Sequence, residues 1–152
     1  MSETIDTLDI KEIIQRIPHR YPFLLVDRAR DYVPFKSIVG IKCVTYNEPY
    51  FQGHFPHEPV MPGVLQIEAI AQTGGVMMSK SLDVDVTRNT ILFMSVDNVR
   101  FRRPVRPGDV LEMPVEVVFY RRNIFKFKGQ ALVNGELATE CEFAAMKVEL
   151  QP

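Results

Sequence analysis

The chain has 152 residues, 46% hydrophobic and 24% charged, with 10 Phe, 5 Tyr and a formal net charge of -1. That composition suits one domain over 1–152 with enough apolar material for a core, and it excludes a disordered or strongly polyionic protein. The longest charge-free piece of the most apolar region, Ala69–Ser79, falls well short of the roughly 20 residues of a membrane span, and the acidic start MSETIDTLDI lacks the features of a secretory signal, so a cytoplasmic location is expected.

In chain order, Ile10, Ile13, Ile14 and Ile17 recur at i, i+3, i+4 and i+7 behind a candidate Asp9 cap. This spacing predicts a short amphipathic helix ended by Pro18. His19, Arg20 and Tyr21 read as an anchor for this N-terminal segment. Phe23–Val33 and Ser37–Tyr46 read as strands. The loop between Asn47 and Gly63 carries Pro49, Pro56, Pro59 and Pro62, and its length points to a functional segment.

From Gly63 to about Ser81 the sequence is apolar almost all round, which predicts a helix buried on most faces. Such a helix needs a sheet wrapped around it. Asn89–Arg102, Val110–Tyr120, Ile124–Val133 and Glu136–Glu149 supply the strands, and Asn134-Gly135 between the last two is a type I′ hairpin signal. The sheet is therefore largely antiparallel. A shift in the alternation of the last strand predicts a bulge near Ala144. The layout is α+β, and an exposed sheet edge predicts at least a dimer.

Cys43 and Cys141 lie far apart in strand-like sequence and read as buried free thiols, and with only three His in the chain no metal site is expected. No nucleophile elbow, phosphate loop or dinucleotide fingerprint is present, which favours cofactor-free acid/base chemistry. Two groups on either side of a proline-stiffened turn are the candidates, His54 and Glu68.

Imidazole titrates near neutrality and can act as a base; the alternative for His54 is a loop histidine bonded to backbone. Phe55 would hold its direction against an apolar wall, while His57, beside Glu58 and Pro59, reads as structural or exposed. Pro62 suits a first helical turn, and Gly63 clears the helix N-terminus so that a carbonyl oxygen can approach free N–H groups. Glu68 shares an i, i+4 row with Val64 and Gln72, which places Gln72 to hydrogen-bond its carboxyl. Burial would raise the Glu68 pKa and keep it protonated as a general acid; a water-satisfied Glu at a dimer seam is the alternative. Arg100, Arg102, Arg103 and Arg106 form a basic cluster with no acid among them, and Arg121, Arg122, Lys126 and Lys128 form a second. Clusters in adjoining strands would suit an acidic partner.

The segments HRYPFLLVDR (19–28) and GHFPHEPVMPGVLQIEAIAQ (53–72) resemble the bacterial (3R)-hydroxyacyl-[acyl carrier protein] dehydratases of type II fatty acid synthesis. The resemblance covers nearly the whole chain. It implies a hotdog fold, dimers assembled as a trimer of dimers, and cofactor-free dehydration of 3-hydroxyacyl chains to trans-2-enoyl chains. Membrane phospholipid and a lipid A precursor are both open destinations for the product. It also implies that His54 and Glu68 are the catalytic pair, drawn from different subunits, with Gly63 as a backbone donor. Glu rather than Asp at position 68 implies the dehydratase that does not isomerise the double bond.

Gly63, Val64, Gln72 and Phe55 are the expected substrate-binding residues. Arg102, Arg103, Arg106, Arg121 and Arg122 are the expected contacts for acyl carrier protein. Two alternatives stand beside this reading, a thioester hydrolase on the same fold and a non-catalytic acyl-binding regulator. A hydrolase has no need of a C2 base, and a regulator would need a DNA-reading element that the chain lacks. Nucleic-acid binding by the Arg clusters is the weakest reading.

Overall fold

The structure, a computed structural model, describes residues 7–150. The Asp9 carboxylate accepts the Glu12 N–H at 3.1 Å and opens helix α1 (Ile10–Arg16), as the cap signal predicts. Ile13 and Ile17 are buried, whereas Ile10 and Ile14 are exposed, so this chain uses only half of the apolar stripe. Ile17 is already extended, and Pro18 follows.

Strands β1 (Arg28–Val33), β2 (Ser37–Cys43), β3 (Asn89–Phe101), β4 (Val110–Arg121), β5 (Ile124–Val133) and β6 (Glu136–Glu149) form one six-stranded sheet in the order β1-β2-β4-β5-β6-β3. Every neighbouring pair is antiparallel. Asn134 and Gly135 have φ of 50° and 79°, the type I′ geometry that their sequence demands. The first strand is shorter than the predicted Phe23–Val33 because the Leu25 N–H is taken at 2.8 Å by the Gln72 side chain, not by a neighbouring strand. The second ends at Cys43, after which the Val44 N–H turns to the Asp109 carbonyl.

Register shifts at Met94, at Asn98–Val99 and at Val118 bend the sheet, since each extra residue kinks its strand. The bulge expected near Ala144 lies opposite it. Met94 of β3 is the inserted residue, while β6 stays in register with β5 through Ala144; the shifted alternation arises because Phe143, Ala144 and Ala145 are all buried.

The curled sheet wraps helix α2 (Gly63–Leu82), in which Ala69–Ser79 is buried without a break. Two sheet glycines permit this close approach: a Cβ on Gly40 would lie 2.2 Å from Thr73 Oγ1, and one on Gly129 would lie 2.4 Å from Ile70 Cγ2. The arrangement is the hotdog fold. Of the two cysteines, Cys141 is buried, and burial pushes its thiol up to about 11. Cys43 is exposed, contrary to expectation. Strand alternation turns Ile38, Gly40 and Lys42 inward and so turns Cys43 out; Lys42 resolves its own burial by pairing with Glu48 at 2.7 Å. Among the described residues no helix is long and apolar enough to cross a membrane, and no group of three or more His, Cys, Asp or Glu could hold a metal ion.

Candidate active site

The loop before α2 is held by its own backbone. After a 3-10 turn at Pro49–Gln52, which buries Phe51, Phe55 and Glu58 exchange N–H···O bonds at 3.0 and 3.1 Å, and the Val60 N–H donates to the His54 carbonyl at 3.0 Å. The Met61 N–H then donates to the Val105 carbonyl at 2.8 Å, tying the loop to the segment after β3. His54 Nδ1 lies 2.8 Å from the Val60 carbonyl. A carbonyl only accepts, so Nδ1 carries the proton, and the lone pair of the neutral ring sits on Nε2. The backbone bond expected of a structural loop histidine therefore also fixes the tautomer that leaves Nε2 able to accept a proton. The Phe55 ring stacks on the imidazole with centroids 4.0 Å apart.

His54 opens on a cleft of about 520 Å³ shared with Gly63, Val64, Gln66, Phe101, Arg102 and Arg103. Pro62 makes no side-chain cap at the start of α2, so the first-turn N–H groups of Gly63 and Val64, two residues that line this cleft, have no side-chain acceptor there. A Cβ on Gly63 would lie 2.5 Å from the Phe101 ring, and the glycine is what lets that ring close the wall. Val64 is 71% exposed, an apolar side chain left at the cleft mouth. Gln66 is buried; it donates to the Met61 carbonyl at 3.3 Å and accepts from the Thr139 hydroxyl. Sequence reasoning passed over Gln66, although a polar amide in so apolar a helix was its signal.

Glu68 faces a second cleft, of about 210 Å³, bounded by His19, Gln72, Ile91, Leu92 and Phe93. The Gln72 amide is oriented by two backbone groups: its oxygen accepts the Leu25 N–H at 2.8 Å, and its nitrogen donates to the Phe23 carbonyl at 2.8 Å. That leaves the second amide hydrogen for Glu68 Oε2, at 2.9 Å. The i, i+4 contact is therefore as predicted, with its polarity decided by the packing of 23–25. Burial raises the Glu68 pKa and outweighs the opposing Gln72 hydrogen bond. His19 Nε2 lies 3.7 Å from Glu68 Oε2. Sequence reasoning gave His19 only an anchoring role. The anchor is Arg20, whose guanidinium bonds the Ile14, Ile17 and His19 carbonyls, and nothing in a spacing of 49 residues could link His19 to Glu68. His57 is exposed, as expected.

Within one chain, His54 and Glu68 thus open on different clefts. The arginines are also divided. Arg102 and Arg103 border the His54 cleft but are paired, Arg102 with Glu140 at 2.5 Å and Arg103 with Glu136 at 3.0 Å, while Arg106 pairs with Glu58. Arg121 and Arg122 lie at the β4–β5 turn, at the far end of the sheet, because Phe101 pairs with Thr139 and Ile124 with Met146. The two clusters are not in adjoining strands: β6 and β5 separate β3 from β4.

Comparison with known proteins agrees with this architecture. The FabA-like domain family model matches residues 17–142. The 3-hydroxyacyl-[acyl-carrier-protein] dehydratase FabZ of Caulobacter vibrioides is 70% identical over 145 residues, covering 95% of this chain and 91% of that protein. The protein of the same name from Cereibacter sphaeroides is 56% identical, with 95% and 94% covered. Among solved structures, the dehydratase heterocomplex ApeI:P from Xenorhabdus doucetiae superposes with a TM-score of 0.77 at 16% identity, covering 90% of each chain. A mutant thioesterase, PA1618, from Pseudomonas aeruginosa gives 0.67 at 15% identity, with 98% of this chain and 100% of that one covered. These two share the fold. The matched span and the identity together show that the chain belongs to the FabA-like family and, within it, to the FabZ dehydratases.

Proposed function

We propose that this hydro-lyase removes water from a 3-hydroxyacyl chain carried on acyl carrier protein, with His54 as the base and Glu68 as the acid. The observation that carries the mechanism is the opposed presetting of the two groups. The Val60 carbonyl keeps the His54 proton on Nδ1 and leaves Nε2 free to accept, while burial favours the protonated form of Glu68. His54 takes a C2 proton, and the charge that develops on the thioester oxygen is met by the free N–H groups of Gly63 and Val64 at the positive end of α2. The C3–O bond breaks as Glu68 delivers its proton, and the hydroxyl departs as water. Hydrolysis on the same fold would need no C2 base, so the fixed His54 tautomer favours elimination.

The geometry supports a site shared between two subunits. β3 is an edge strand that exposes Leu92, Phe93, Met94 and Val96, an apolar edge that calls for a partner. Phe101, at one end of β3, borders the His54 cleft, and Phe93, eight residues back, with Leu92 beside it, borders the Glu68 cleft. Eight extended residues span about 26 Å. Antiparallel pairing of β3 with its copy, about a two-fold axis near the middle of the strand, would bring the His54 cleft of one subunit against the Glu68 cleft of the other. Arg102 and Arg103, at the mouth of the His54 cleft, are then the side chains best placed to meet an acidic carrier protein.

The test is complementation. His54→Ala and Glu68→Ala chains, each inactive, are co-expressed and assayed with a 3-hydroxyacyl thioester. Half of randomly formed dimers are mixed and carry one intact site out of two, so activity should recover to about a quarter of wild type by symmetry counting. An inactive mixture whose mixed dimers are verified by mass would refute the shared site.

A further inference from the structure

Among the described residues, His19 is the one titratable group lining the Glu68 cleft that this mechanism leaves without a task. Its Nε2 lies 3.7 Å from Glu68 Oε2, and its Nδ1 is buried with no hydrogen-bond partner. We propose that His19 is a positioning residue for the acid step: its Nε2–H faces Glu68 Oε2 and closes on it as Glu68 gives up its proton. The inference rests on the reading of Glu68 as the acid.

Three observations carry it. Glu68 Oε2 already accepts from Gln72 at 2.9 Å, so in the protonated acid Oε2 is the accepting oxygen and Oε1 holds the transferable proton. A second donor aimed at Oε2 strengthens that arrangement. The environment of His19 then selects its tautomer, because an orphaned lone pair on buried Nδ1 is cheaper than an orphaned N–H, and the group opposite Nε2 accepts. Finally, among the described residues of this chain no other charged side chain lines the cleft. α2 lines it with Glu68, Ala71, Gln72 and Gly75, of which Glu68 alone is ionisable, β3 presents apolar side chains, and Arg20 has turned its guanidinium onto carbonyls. Burial, aided by the Arg20 charge, keeps His19 below its ordinary pKa and therefore neutral at pH 7.

At 3.7 Å the contact is longer than a hydrogen bond, and this gives it a catalytic consequence. It adds little while Glu68 is protonated. During elimination the Oε1–H bond breaks, its proton passes to the leaving oxygen, the C3–O electron pair leaves with the water, and Glu68 becomes a carboxylate. His19 keeps its proton throughout and moves a fraction of an ångström toward the new charge. A donor that tightens only as charge develops accelerates the step without strengthening substrate binding.

The experiment compares His19→Phe, which removes the donor, with His19→Gln, which can present an amide N–H in its place, using a small 3-hydroxyacyl thioester across pH. Loss of a donor to a charged acceptor should lower kcat about 10- to 100-fold in His19→Phe while KM stays within about twofold. The carboxylate loses a stabilising partner there, so the basic limb of the pH profile should move to higher pH. His19→Gln should recover most of the rate and the wild-type limb. Nitrogen NMR of the wild-type imidazole should find the proton on Nε2, a measurement that stands even where His19→Phe does not fold. A proton on Nδ1, an unmoved basic limb in His19→Phe, or equal impairment of both variants would overturn the proposal. Near-normal turnover of Glu68→Gln would instead remove the acid reading itself.

Discussion

Replacing Glu68 with Gln separates the acid chemistry proposed for its carboxyl from its place in the fold. The side chain is 18% exposed and held by one hydrogen bond, from Gln72 Nε2 to Oε2 at 2.9 Å. The amide introduced by Glu68→Gln can keep that bond through its oxygen, which leaves its NH₂ where Oε1 was, facing the cleft. The volume and the contact survive; the transferable proton does not. A positioned general acid is worth about 10²–10⁴ in rate, about 3–5 kcal/mol of barrier, and kcat should fall by that factor with KM little changed.

The same variant has a thermodynamic signature. Burial raises the Glu68 pKa above its ordinary 4.5, so above that pH the unfolded chain releases a proton that the folded chain retains. The contribution of Glu68 to wild-type stability therefore falls as pH rises from about 4.5 to the elevated folded value, and is flat beyond it. The substituted amide does not titrate. The melting temperature of Glu68→Gln relative to wild type should rise with pH through this window, by about 2–4 °C for each kcal/mol. Ultraviolet absorbance of the enoyl thioester reads the rate, and melting curves at pH 4 and pH 8 read the stability. Turnover within tenfold of wild type would refute the acid role; a melting difference that does not change with pH would refute its buried, proton-retaining state.

Other outcomes follow from the packing and the charge pattern. Gly129→Ala places a methyl 2.4 Å from Ile70, which is itself fully buried, so overpacking should cost about 1–3 kcal/mol and lower the melting temperature with kcat retained by the folded fraction; an unchanged melting temperature would mean that the helix and sheet can separate freely. Double replacement of Arg102 and Arg103 by Ala should reduce kcat/KM for carrier-bound substrate about tenfold more than for a short thioester, and should flatten its salt dependence. Alanine is the informative choice because Glu at these positions would face Glu140 and Glu136 and add repulsion inside the fold. Equal losses on both substrates would assign the two arginines to the cleft wall instead of the docking surface.

Local sequence determined the elements whose signals are local. Asn134-Gly135 can satisfy two positive φ values in a row, so β5 and β6 begin and end where their sequence says. Asp9 and Pro18 bracket α1 for equally local reasons, and an apolar helix with Gly at its first position announced both the wrapping sheet and the open N-terminus beside His54. His54 and Glu68 stood out as candidates because a polar group in apolar company has few explanations. Tertiary structure alone decided whatever depends on groups far apart in the chain. Phe23–Asp27 does not extend β1, since Gln72, 47 residues beyond Leu25, captures the Leu25 N–H. Cys43 faces outward because Lys42 found Glu48 inside. The arginines that looked unopposed in sequence meet Glu58, Glu136 and Glu140 across the fold, and His19 reaches Glu68 only when the segment after α1 lies along α2. Propensities and caps act over a few residues, whereas burial and hydrogen-bond satisfaction act between whichever groups the curled sheet brings together; the first fixed the parts of this protein, and the second fixed the surroundings of Glu68.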